Sequence, residues 1–182
     1  MLTKAPETLQ TERLVFRRPH PTDAQAIFYR YAGDPVVTRY LSWPTHRSVA
    51  DTYAFAEWSD AEWERCPAGP YLLFTHEDRG KRVLGSTGLL FNGPEVASVG
   101  YALAQDAWGQ GYATEALQAM VGVARSIGVR QLNATCHAEH HASARVLRKC
   151  GFISQGVAAE PARFPNLDSG VFAAVLDFCI RL

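Results

Sequence analysis

The sequence predicts a mixed α/β domain, a central twisted sheet of mixed strand direction flanked by about four to five helices. Three observations predict it. Segments with two-residue hydrophobic alternation trade places with segments of helical period, in the order β-α-α-β-β-β-α-β-α-β-β. The 182 residues are 47% hydrophobic and 20% charged, enough to bury roughly 70% of the unfolded surface in one domain over residues 1–182. Gly and Pro punctuate the boundaries, with no internal repeat, low-complexity run or linker.

The elements follow in chain order. Residues 12–18 set Leu14 and Phe16 on one face of a short strand. His20-Pro-Thr-Asp opens a helix capped by Thr22 or Asp23, with Ala24, Ile27, Phe28 and Tyr31 at helical spacing. Gly33-Asp-Pro35 ends it and can start a shorter one. Residues 48–65 form an amphipathic helix stopped by Cys66-Pro-Ala-Gly-Pro70. Strands 71–76 and 82–91 flank a hairpin loop at 77–81, and Asn92-Gly-Pro94 turns the chain into strand 96–104. A helix over 111–127 carries a broad stripe from Ala113 to Ile127, with Gly128 as its terminating glycine. Strand 131–137, helix 141–150 and strands 152–159 and 170–180 complete the order.

Several function classes drop out. A net charge of zero, 18 Lys+Arg against 18 Asp+Glu, argues against a nucleic-acid partner. The first dozen residues lack the apolar core of a secretory signal, and the best apolar stretch, 171–176, is strand-length, far below the ~20 residues that span a bilayer. The expected setting is cytoplasmic, without a membrane partner. Cys66, Cys136, Cys150 and Cys179 lie far apart without a CxxC pair and are expected to be reduced.

The most informative segment is Trp108-Gly-Gln-Gly-Tyr-Ala-Thr-Glu115, between a strand and the long helix. Glycines there let backbone approach a ligand, and the first amides of a helix have no intrahelical acceptor. With the helix dipole they suit a phosphate or pyrophosphate. On the residues alone a structural turn is an equal reading. Neither the Gly-Lys-Ser/Thr of a Walker loop nor the third glycine of a dinucleotide fingerprint is present. A second segment, from Glu139 to Phe152, sets Val146, Leu147 and Cys150 against Arg145, Arg148 and Lys149. Those cations are a solvated face or the partners of a polyphosphate ligand.

The loop GQGYATEA, the Ser-x-x-Val-Leu-x-Lys-x-Gly-Phe stretch ending at Phe152 and the opening TERLVFRR together resemble the GNAT acyltransferase superfamily, within it the ribosomal-protein N-terminal acetyltransferases. The resemblance covers nearly the whole chain. It implies a GNAT-like fold, with a V-shaped splay between two central parallel strands that receives acetyl-CoA as co-substrate, and no metal. By resemblance Gly109, Gln110, Gly111, Tyr112, Ala113 and Thr114 cradle the pyrophosphate. Leu103 and Ala104 pair with the pantetheine arm, and His140, Ser143 and Arg148 also bind the cofactor. Trp108 stands where the superfamily often has Arg or Gln, and His140 where it usually has Asn, so altered contacts are expected at both.

The implied reaction is direct transfer of an acetyl group from a thioester to a primary amine, either a protein N-terminus or a small molecule. It needs a neutral amine, an oxyanion site and a proton for the leaving thiolate. Backbone amides of the splayed strand 96–104 are candidate oxyanion donors. Ser143 matches the position that protonates the thiolate in the ribosomal-protein branch; on the residues alone it is a first-turn serine bonding backbone amides. An α-amine of pKa about 7.7–8.0 needs only a weak base or water. Glu95 and Glu160 are the candidate bases, although the family's base position falls on Ala162, and each glutamate also reads as a surface residue. Cys136, His137, Glu139, His140 and His141 invite a zinc reading, but a strand points Cys136 and His137 opposite ways and no distant ligand pair is evident.

Of the aromatics Tyr40, Trp43, Tyr53, Trp58 and Trp63, Trp43 is expected to line the acceptor pocket. Glu57, Asp60, Glu62 and Glu64 spread around their helix as a solvated face. The alternative function is a non-catalytic acyl-CoA-binding sensor or interaction module. The assembly is a monomer or a homodimer.

Overall fold

The computed structural model describes residues 2–78, 80–167 and 172–182. Strands β1 (Thr8–Gln10) and β2 (Leu14–Arg17) open the chain. Helices α1 (Ala24–Ile27), α2 (Pro35–Thr38) and α3 (Val49–Arg65) follow, then strands β3 (Tyr71–Thr75), β4 (Gly85–Gly93) and β5 (Val96–Leu103). Helix α4 (Tyr112–Ser126), strand β6 (Gln131–His137) and helix α5 (His141–Lys149) come next. Strands β7 (Ile153–Val157), β8 (Ala162–Arg163), β9 (Phe172–Ala173) and β10 (Val175–Arg181) close it.

Eight strands form one sheet in the order β1-β2-β3-β4-β5-β6-β10-β7, and β8 and β9 form a separate small hairpin. All neighbours run antiparallel except β5 and β6. The mixed α/β class predicted from the sequence therefore stands, with a sheet that is mostly antiparallel.

Local chemistry explains the element ends. The first helix is entered by a tight turn, Pro21–Asp23, capped reciprocally by His20 and by Asp23, whose carboxylate accepts the His20 amide at 2.8 Å. The same carboxylate pairs with Arg17, which donates to both of its oxygens at 2.7 Å. Ser48 and Asp51 form a reciprocal cap on α3. Strand β4 starts at Gly85, later than expected, and runs to Gly93, so its turn tightens to Pro94 and Glu95. Strand β1, of three residues, is too short to show alternation and was not expected. The expected strand 170–180 divides into β9 and β10, and its residues 170 and 171 lie outside the described residues.

Two apolar layers sandwich the sheet. On one face α4 buries Ala116, Leu117, Met120 and Ala124 against Leu14, Phe16, Leu89 and Val99. On the other, Ile27, Tyr31 and Ala32 pack on Leu72, Phe74, Ala102 and Ala104. Trp63 belongs to the first core, whereas Tyr53 and Trp58 are exposed. The acidic residues of α3 are used structurally: Asp60 and Glu64 pair with Arg18, and Glu62 with Arg65. Among the described residues no helix is long and apolar enough to cross a membrane, and all four cysteines are free.

Candidate active site

Parallel pairing between β5 and β6 is confined to Val96↔Gln131, Ala97↔Leu132 and Ser98↔Asn133. Beyond that point β5 stays paired with β4 as far as Leu103, and β6 with β10 as far as His137. The two strands thus part, each held from its outer side, and a V-shaped gap opens between them. The Ala104 amide donates outward to the Leu84 carbonyl at 2.8 Å. Strand alternation therefore directs the backbone groups of Val99, Tyr101 and Leu103 into the gap.

At the open end of β5 the chain passes through Trp108 into α4. Gly109 (φ 73°) and Gly111 (φ 82°) hold left-handed conformations that glycine adopts without cost. The first helical bond of α4 runs from the Glu115 amide to the Gly111 carbonyl. Every backbone amide from 109 to 114 is left without an acceptor among the described residues. A run of such donors at a helix N-terminus is chemically an anion site. The cradle is also narrow: a Cβ on Gly111 would lie 3.3 Å from Arg13 Nη2.

Ion pairs brace the loop at both ends. Arg13 donates through Nη1 to the Gln110 carbonyl at 2.8 Å and through Nε to Glu115 at 2.7 Å, and its guanidinium lies over the Tyr112 ring. Glu115 also accepts from Thr11 Oγ1 at 2.6 Å and the Arg13 amide at 2.8 Å. Burial alone would raise the Glu115 pKa; these bonds outweigh it and hold the carboxyl below the usual carboxylate range. At the other end Asp106 is gripped by Arg30 and Arg82, and Gln110 Nε2 donates to the Asp106 carbonyl. The TERL segment is thus the strut of the loop.

A family model described as an acetyltransferase (GNAT) domain matches residues 13–153, from this strut through the gap and the loop to the start of β7. The chain belongs to the GNAT acetyltransferase family. It is 28% identical over 152 residues to YoaA of Bacillus subtilis (strain 168), named an N-acetyltransferase, a match spanning 82% of this chain and 84% of that protein. Among solved structures it superimposes on RimL, a ribosomal-protein α-N-acetyltransferase, in complex with coenzyme A. That match has TM-score 0.81 and 22% identity over 97% of this chain and 98% of the other. The microcin self-immunity acetyltransferase MccE, in complex with acetyl-CoA and AMP, matches with TM-score 0.84 and 16% identity, covering 99% of each chain.

Within this GNAT acetyltransferase the candidate residues separate into those brought together and those not. Ser143, in the first turn of α5, meets Tyr101 from β5 across the gap, hydroxyl to hydroxyl at 2.9 Å. Cys136, on β6, lies against the same serine. Leu103 faces the gap, but its carbonyl already accepts from the Trp108 indole at 2.8 Å. Ala104 does not face the gap: its amide is spent on Leu84 and its carbonyl on the Ala107 amide. The Trp108 side chain thus buttresses the loop where Arg or Gln was the familiar residue.

His140 packs its ring on Tyr40, 4.9 Å between centroids. Burial first, then the nearby His137 and His141, push its pKa down, so the ring is neutral at pH 7. Arg148 leans over the Phe178 ring, while its neighbour Lys149 lines a cavity of about 760 Å³ with Arg13, Gly111, Thr114 and Gln118. The structure therefore brings Lys149, not Arg148, to the loop, because successive helical residues point about 100° apart.

Glu95 is not brought to the gap. Its carbonyl accepts from the Arg130 and Gln131 amides at the closed end of the V, on the order of 25 Å along β5 from Leu103. Glu160 is exposed in the bend after β7, on the sheet edge where the V is open, and Ala162 is tied into the β8–β9 hairpin. Among the described residues no group of three His, Cys, Asp or Glu side chains is set to hold a metal. His137 is engaged otherwise: Nδ1 accepts the Glu139 amide, and its ring packs between Tyr40 and Phe164.

Trp43 packs at the edge of the second core in the loop between α2 and α3. That loop is fastened by Asn166, which donates to the Thr38 carbonyl at 2.7 Å and the Trp43 carbonyl at 2.8 Å and accepts from the Thr45 amide at 2.7 Å. Asn166→Ala should cost about 1–3 kcal/mol and lower Tm by about 3–10 °C in a thermal melt. An unchanged Tm would mean the loop between α2 and α3 holds itself.

Neither Tyr101 nor Asn166 was singled out from the sequence. The alternation of Val99, Tyr101 and Leu103 was readable, but nothing local said that Tyr101 meets Ser143. Asn166 carries no signal short of the fold.

Proposed function

We propose that this GNAT acetyltransferase uses acetyl-CoA as donor and transfers the acetyl group directly to a primary amine, a protein N-terminal α-amine or a small-molecule amine. The observation that carries the reading is the run of acceptor-free amides at 109–114 opening onto the gap between β5 and β6. The complexes of RimL with coenzyme A and of MccE with acetyl-CoA support the choice of donor.

In this reading the loop amides and Lys149 hold the pyrophosphate, and Leu103 and His140 border the pantetheine arm. Gap-facing amides of Val99 and Tyr101 donate to the oxygen that gains charge in the tetrahedral intermediate. Ser143 protonates the leaving thiolate, and Trp43 lines the acceptor side. Since Glu160 is exposed and Glu95 remote, deprotonation falls to water or a weak exposed base. That suffices for an α-amine of pKa about 7.7–8.0 and not for a lysine at about 10.4.

Calorimetric titration with acetyl-CoA, followed by thiol release with a panel of amines and N-terminal peptides, tests it. Binding with amine-dependent thiol release is expected, and Ser143→Ala should lower kcat about 100-fold with acetyl-CoA affinity nearly unchanged. Binding without release across the panel would turn the assignment to the non-catalytic acyl-CoA-binding alternative, and no binding would overturn both.

A further inference from the structure

The Tyr101–Ser143 contact bears on a chemical difficulty in that reading. A serine hydroxyl is a far weaker acid than a thiol, whose pKa is about 8.5. If Ser143 alone protonated the departing thiolate it would be left as an alkoxide, an uphill transfer. A serine passes a proton on readily only when it is reprotonated in the same step.

Tyr101 is built for that. Its ring packs against the main core on the gap-facing strand, and its hydroxyl lies 2.9 Å from Ser143 Oγ. The groups facing the phenol are Ser143 of α5, Cys136 of β6 and Cys150 just beyond α5. None carries a formal charge at neutral pH: burial pushes the Cys136 thiol up, and the Cys150 thiol up to about 11. The phenol is itself pushed up to about 12, chiefly by burial, with the Ser143 bond opposing. It is therefore protonated at working pH; it is a weaker acid than the thiol but a far better one than the serine, so the relay lessens the uphill step and reprotonation from solvent completes it.

Resting on the function proposed above, we infer that Tyr101 supplies, through Ser143, the proton taken up by the leaving thiolate. As the tetrahedral adduct collapses, the C–S bond breaks and its electron pair leaves on sulfur. The Ser143 O–H bond breaks as S–H forms, and the Tyr101 O–H bond breaks as the Ser143 O–H is remade. The resulting phenolate is neutralised from solvent, which has received the proton shed by the amine. The Tyr101 side chain acts through Ser143 in a positioning role; its hydroxyl does not touch the thioester.

Tyr101→Phe keeps the ring and removes the hydroxyl. Expected are acetyl-CoA affinity and Tm close to wild type and a kcat about 10- to 100-fold lower, with the solvent-isotope proton inventory changing from curved to linear as one proton in flight is lost. Site-specific 3-fluorotyrosine at 101 leaves packing intact and lowers the phenol pKa. It should move the basic limb of the kcat–pH profile to lower pH, which a merely structural hydroxyl would not do.

An unchanged kcat in Tyr101→Phe, or an unmoved basic limb in the fluorinated protein, overturns the inference. If wild type turns over and Ser143→Ala is impaired while Tyr101→Phe is not, only the inference falls. If wild type releases no thiol with any amine, the proposed function falls first.

Discussion

Acetyl-CoA titrated into Gly111→Trp should give no heat of binding under conditions where wild type saturates. Gly111 sits at φ 82°, where an L-residue costs about 1–2 kcal/mol, and its Cβ would point toward the Arg13 guanidinium. An indole there enters the cavity lined by Gly111, Thr114 and Lys149 and displaces the strut that holds the Gln110 carbonyl. The sheet and cores lie elsewhere, so the variant should fold with a lowered Tm. Retained affinity would mean that the anion-binding amides are not those at 109–114.

The second large effect belongs to Glu115. Replacing it with Gln leaves the Thr11 hydroxyl, the Arg13 amide and the Arg13 guanidinium without their shared carboxylate. Arg13 is 44% exposed, so water and salt screen part of the loss. The cost at pH 7 should be about 1–2 kcal/mol, with an acetyl-CoA affinity several-fold weaker as the loop loosens. The pH dependence has a definite sign. A carboxyl whose pKa is depressed by folding contributes stability above its unfolded value, about 4.3 for Glu, and loses it as pH falls through the folded value. The Tm gap between wild type and Glu115→Gln should therefore be full at pH 6–7 and close below pH 4. A gap independent of pH would assign the effect to packing rather than charge.

The free amides of the 109–114 loop were legible because their cause is local: two glycines next to an apolar-striped helix favour left-handed turns and leave the first amides unpaired. Ser143 was singled out only through the family resemblance, since on the residues alone it reads as a first-turn serine. What failed depended on direction and partners. Glu95 looked close to the chemistry because it precedes the central strand, but the strand runs away from it toward the gap. Arg148 and Lys149 are neighbours in sequence, and only the seating of α5 decides which faces the loop. Ala104 follows the splayed strand, yet alternation turns it back toward Leu84. Tyr101 and Ser143 are separated by a helix and a strand, so no pattern within either segment could pair them.

The place of β10 has a consequence for the order in which the molecule can be made. It inserts between β6 and β7 and pairs along the whole of β6, from Gln131 to His137. A chain emerging from the ribosome can pair β1 through β5 and seat α4 on them while β6 is held on its inner side by only its first residues. The loop at 109–114 and its Arg13 strut can thus form early in synthesis. The half of the molecule carrying Ser143 waits for residues 175–181, which serve as a keystone for two strands at once. Synthesis that stalls before them would leave a nascent chain with a finished anion cradle and a loose β6 edge, the species most exposed to mispairing with another copy.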